Sequence, residues 1–159
     1  MEKEGLIVFI SRFEKTYDII VDIYKNLDLK IKKLSTKAIS VEIVESAGYW
    51  MHNLYCAYED LFQLVATFFE NNIHSDGLFH KKLLNTMALK VPGIRPSLIS
   101  EVSFKYLDEL RGFRHVFRHA YSYGLDDERV IFLLRRVIKQ KKTILEDLNI
   151  FKDNIKEIL

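Results

Sequence analysis

Residues 111–121 read RGFRHVFRHAY, which brings Arg111, Arg114, Arg118, His115, His119 and Tyr121 into one short stretch. On a helix the three arginines follow three- and four-residue steps and share a face, while His115 and His119, four apart, share a neighbouring one. Like charges so placed repel unless they are solvated or face an anion, and the planar guanidinium fork suits a phosphate. An imidazole beside arginines has its neutral form favoured, so it can accept a proton near neutral pH, as a general base must. The competing reading is a solvated basic ridge with acidic partners from another helix. His115 and His119 have the spacing to grip a metal ion, but no acid lies between them as in HExxH, and the flanking arginines oppose a divalent cation. No metal and no other cofactor is expected.

Further along the chemistry thins out. His52, Tyr55 and Glu59 lie three and four apart, and Glu59 or Asp60 is placed to pair with Arg111 or Arg114 and hold them ready. A buried acid–arginine pair of that kind is more often structural than catalytic. His74 and His80 fall in a loop-rich region and are assigned no role. Trp50 and the aromatic residues around it read as core or subunit contact.

Residues with this chemistry need elements to carry them, and the elements are helices. Apolar residues recur at three- and four-residue spacing over most of the chain, and no segment alternates long enough to be a strand. A first helix is expected over about 3–33, with Ile10, Phe13, Tyr17, Ile20, Tyr24, Leu27, Ile31 and Leu34 on one stripe. Ser35 and Thr36 then offer cap chemistry for a second helix running to about residue 71, with Ile39, Ile43, Trp50, Leu54, Leu61, Leu64, Val65 and Phe68 inward. Asn, Ser, Asp, Gly and Pro mark loops around one short amphipathic piece near Leu78–Met87. A third long helix should begin near Ser97 or Ser100 and reach about Tyr121; Gly124 is a stop, and Asp126 caps the last helix. The expected fold is all-α: an antiparallel bundle of four long helices with a short extra helix before the third, forming a single domain over 1–159. Such long helices suit packing against a second copy in a two-fold homodimer.

The bulk numbers agree with one soluble domain. The chain has 159 residues, 48% hydrophobic and 29% charged, and a formal charge of +2. That charge is too mild to announce nucleic-acid binding by itself, so any such surface has to be local. Cys56 is the one cysteine, which rules out an internal disulfide and a cysteine metal knuckle. The apolar run near the start is too short for a signal core or membrane span, so a cytoplasmic protein is expected.

The spacing of Arg114, His119 and Tyr121 resembles the RX4HXY motif of the HepT toxins, within the HEPN superfamily of helical ribonucleases. His115 fills the place after the arginine where that family usually has a polar residue. LDELRGFRHVFRHAYSYGLDDERV follows the family's pattern of helix, motif, short acid-capped turn and final helix. The resemblance is close over about the last sixty residues and rests on architecture elsewhere. It implies a metal-independent endoribonuclease, active as a homodimer whose two motifs face each other. His119 would be the base that deprotonates the RNA 2′-OH and Arg114 the electrostatic clamp on the phosphate, with His115 in support and Arg111 and Arg118 as backbone contacts. It also implies a toxin–antitoxin partner, a minimal nucleotidyltransferase that places AMP on Tyr121. A non-catalytic HEPN-type nucleotide-binding protein, or partner of a nucleotidyltransferase, is the alternative. The nuclease reading needs Arg114 and His119 to converge in an open basic cleft.

Overall fold

In the computed structural model the described residues are 3–36, 38–71, 79–119 and 124–157. They form five helices: α1 (Lys3–Thr36), α2 (Val41–Glu70), α3 (Phe79–Ala88), α4 (Glu101–His119) and α5 (Asp127–Lys156). Among the described residues there is no β-strand, only an isolated bridge between Val91 and Arg95. The four long helices and the short α3 match the sequence expectation.

α2 touches each of the other four helices and carries the greatest share of apolar residues. The first turns of α1 meet the last turns of α2, where Phe9 packs on Phe68 and Phe69, and also the end of α5, where Phe13 stacks on Phe151. Those pairings make α1 antiparallel to both. On α5 the residues Val130, Leu133, Leu134, Val137, Ile138, Leu145, Leu148, Phe151 and Ile155 are all buried or packed against the core, because their three- and four-residue spacing keeps one face toward α1, α2 and α4.

Three buried tyrosines set the register of the bundle interior. Tyr24 on α1 shares hydrogen bonds with Tyr58 on α2 at 2.8 Å and Tyr106 on α4 at 3.0 Å. Burial pushes all three phenols well above their usual range, so they stay neutral and the cluster is a hydrogen-bonded one.

One helix boundary departs from the sequence expectation. Ser35 and Thr36 do not cap α2; α1 continues to Thr36, and Ser40 is the cap, its Oγ accepting from Ile43 N at 3.3 Å. Leu34 still packs on the core, which favours one more turn of α1. Ile39 consequently precedes α2 and is exposed rather than inward.

Both ends of α4 are anchored. Asp147 on α5 accepts from Ser100 N at 2.8 Å, Ser100 Oγ at 2.6 Å and Ser103 Oγ at 2.5 Å, which docks the start of α4 onto α5. Beyond its other end, Gly124 takes φ 75° and Asp126 Oδ1 caps α5 by accepting from Arg129 N. Before α4, Pro92 and Gly93 (φ 75°) occupy the middle of a tight turn closed by Ile94 N donating to Val91 O. Arg95 is buried beneath that turn. Its guanidinium donates to Glu70 on α2 and to the carbonyls of Thr86, Leu89 and Pro96, tying the end of α3 to the end of α2.

Candidate functional site

The last turns of α4 lie against the first half of α2. Phe117 packs where α2 has Gly48: a Cβ there would come within 3.0 Å of the Phe117 and Leu125 side chains. His52, one turn further along α2, stacks on Phe117 with ring centroids 5.2 Å apart. Burial, then Arg114 and Arg118, depress the His52 pKa below the usual imidazole value. These contacts orient the arginine face of α4 toward α2 and the N-terminus of α3.

Arg114 occupies that junction. Its Nη2 lies 3.5 Å from Glu59 Oε2, and its Nη1 lies 3.4 Å from His80 Nε2. Glu59 Oε1 in turn hydrogen-bonds His80 Nδ1, so the three side chains from α2, α3 and α4 close a ring. At 3.5 Å the Glu59 contact is an ion pair and not the short bidentate fork that would saturate a guanidinium. Among the described residues, Arg114 Nε is buried without a hydrogen-bond partner. Burial raises the Glu59 pKa above the ordinary carboxylate value, outweighing the opposing attraction of Arg114 and His80.

The remaining motif residues are distributed differently. Arg111 turns back to its own helix, with Nε donating to Asp108 Oδ1 at 2.8 Å. The sequence had offered Glu59 or Asp60 as partners for Arg111 or Arg114; Glu59 takes Arg114, while Arg111 takes Asp108. Arg118, His115 and His119 are exposed, and the two imidazoles lie beside each other with centroids 4.7 Å apart. Tyr121 lies outside the described residues. Among the described residues, no group of three His, Cys, Asp or Glu is arranged to hold a metal ion.

Within one chain Arg114 and His119 have different surroundings. Five helical residues amount to about 140° of rotation around the axis. Arg114 points toward Glu59 and His80, while His119 faces solvent. His80 was the residue that sequence reasoning missed. It sits in the first turn of α3, where no local pattern distinguishes it from any exposed histidine, and its role comes from what α3 is packed against.

A family model described as HepT-like protein matches residues 46–155, which is more than half of the chain. The chain belongs to the HepT-like family. No curated protein and no solved structure matches it. The matched span takes in α2 and α3 as well as the motif helix, so this HepT-like chain's family signal covers Glu59 and His80 together with Arg114 and His119. No described helix of the HepT-like chain is long and apolar enough to cross a membrane.

Proposed function

We propose that this HepT-like chain is a metal-independent endoribonuclease and the toxin half of a toxin–antitoxin pair, acting as a homodimer. The observation that carries the reading is the division of labour on α4. Arg114 is half-buried and held by an acid from another helix, while His115 and His119 are exposed side by side.

In the proposed reaction His119 takes the proton from the RNA 2′-OH, and that oxygen attacks the adjacent phosphorus. The bond to the 5′ oxygen breaks, and the 5′ oxygen is protonated by His115; the products are a 2′,3′-cyclic phosphate and a free 5′-OH. Arg114 stabilises the charge that develops on the phosphoryl oxygens, and Arg111 and Arg118 contact the backbone. Arg114 and His119 are offset by about 140° around α4, and each active centre is proposed to combine Arg114 of one copy with His119 of a second. DNA, lacking the 2′-OH, is not a substrate. Tyr121, two residues after His119, is the proposed site at which a minimal nucleotidyltransferase partner adds AMP, whose phosphate would occupy the anion site and block RNA.

The test is cleavage of a mixed RNA by purified protein, with EDTA present, followed by end-group analysis. Cleavage giving cyclic phosphate ends, lost in Arg114→Ala and His119→Ala variants that keep their helical spectrum, supports the proposal. Unchanged cleavage in either variant overturns it. Glu59 favours the second reading, a non-catalytic HEPN-type nucleotide-binding protein or nucleotidyltransferase partner, since part of the Arg114 charge is spent inside the protein. That reading gains if the folded wild type cuts no RNA yet still binds a nucleotide or the nucleotidyltransferase.

A further inference from the structure

His80 reaches the motif from α3, and its two ring nitrogens are both engaged. Nδ1 meets Glu59 Oε1 and Nε2 meets Arg114 Nη1 at 3.4 Å. The protonation pattern follows from the inventory of donors. An ionised carboxylate only accepts and a guanidinium only donates, so Nδ1 must carry the hydrogen and Nε2 must offer its lone pair. The neutral Nδ1–H tautomer is the one state of the ring that satisfies both neighbours. Glu59 thus selects the tautomer, and the tautomer supplies Arg114 with a second acceptor at an angle to the first.

We propose that His80 is a positioning residue for Arg114: with Glu59 it holds the guanidinium plane in the orientation that clamps the scissile phosphate. This rests on the nuclease reading above. One contact leaves a guanidinium free to pivot about the bond to its partner, and a second acceptor on another helix removes that freedom. His80 is the outer member of the ring, with 38% of its side chain exposed against 17% for Arg114 and 11% for Glu59. It therefore forms the rim beside which Arg114 meets solvent. Since a positioned clamp matters most when charge develops on the phosphate, the effect belongs in kcat more than in KM.

Three substitutions in the full chain separate positioning from bulk. His80→Ala lowers kcat about 10-fold or more and moves KM less than about 3-fold. His80→Gln keeps an acceptor near the Nε2 position and recovers most of kcat. His80→Asn keeps a donor toward Glu59 but presents nothing to Arg114, and behaves like His80→Ala. A purely structural His80 would instead give losses that track thermal stability, with Gln no better than Asn; either that pattern or an unaffected kcat in His80→Ala overturns the inference while leaving the nuclease intact. Should Arg114→Ala leave cleavage unchanged, the nuclease reading itself falls. The geometry is then decided by the imidazole 15N spectrum: an Nδ1–H tautomer at His80 that is lost in Glu59→Ala, which leaves no acceptor opposite Nδ1, upholds the positioning contact, and an Nε2–H tautomer in the wild type abolishes it.

Discussion

His52 and Phe117 stack with an interplanar angle of 27°, and through this contact the last turns of α4 rest on α2 on the side where Arg114 and Arg118 emerge. The ring is thus a packing surface beside two cations. Its folded-state pKa lies below the unfolded value of about 6.5. A group of this kind contributes stability that is fully present above the unfolded pKa and is lost as pH falls through the folded one.

The first prediction follows from that sign. The urea midpoint of the wild type should fall between about pH 7.5 and pH 5, and His52→Gln, which cannot be protonated there, should show a shallower fall despite a constant penalty for losing the stack. Parallel curves for the two proteins would show that His52 does not titrate on unfolding.

Glu59 has the opposite sign. Its raised pKa means that the folded chain binds the carboxyl proton more tightly than the unfolded chain does. The associated stabilisation is complete below the unfolded value and lost as pH rises through the folded one, so at neutral pH the ionised carboxylate is a burden on the fold. Glu59→Gln should keep or raise the melting temperature at pH 7, with the difference shrinking toward pH 4.5. Its kcat for RNA should drop by about 10-fold, since the amide keeps one acceptor oxygen and can no longer accept from both Arg114 and His80. A lower melting temperature at pH 7 would mean that the ion pair outweighs its desolvation.

Arg95 holds the connection between α3 and α4. Its removal leaves Glu70 partly buried without its counter-charge and takes one donor from each of three carbonyls. Arg95→Ala should cost about 3–5 kcal/mol in denaturant unfolding. Because α3 carries His80, the residual folded protein should also show the reduced kcat of His80→Ala. Unfolding within about 1 kcal/mol of wild type would show the connection to be held by other contacts.

The proposed pairing of Arg114 from one copy with His119 from a second carries a stoichiometric prediction. Arg114→Ala and His119→Ala proteins, each inactive alone, should recover about a quarter of wild-type cleavage when co-refolded at equal amounts, because half of the dimers are mixed and each mixed dimer holds one complete centre. No recovery, with dimers verified by sedimentation, would place both residues in the same subunit's centre.

The sequence was sufficient for the helices and for the motif, and both are local properties. Apolar spacing chose which face of each long helix turned inward, and the acid-rich restart at Asp126 placed the start of α5. Arg114, His115 and His119 were legible because the spacing RX4HXY is written in one continuous stretch. The α1–α2 boundary was less legible, since Ser35, Thr36 and Ser40 all have cap chemistry; burial of Leu34 on the core decided among them.

What only the tertiary structure decided is which partners the motif residues acquire. Glu59 and His80 lie 21 residues apart in sequence, and His80 and Arg114 lie 34 apart; they meet because α3 packs against both α2 and α4. Periodicity reports which face of a helix is buried, but not which residue of another helix stands opposite it. That is set by how the helices slide and rotate against each other when their side chains interlock, and here it turned Arg114 toward Glu59 and His80 and left His119 facing solvent.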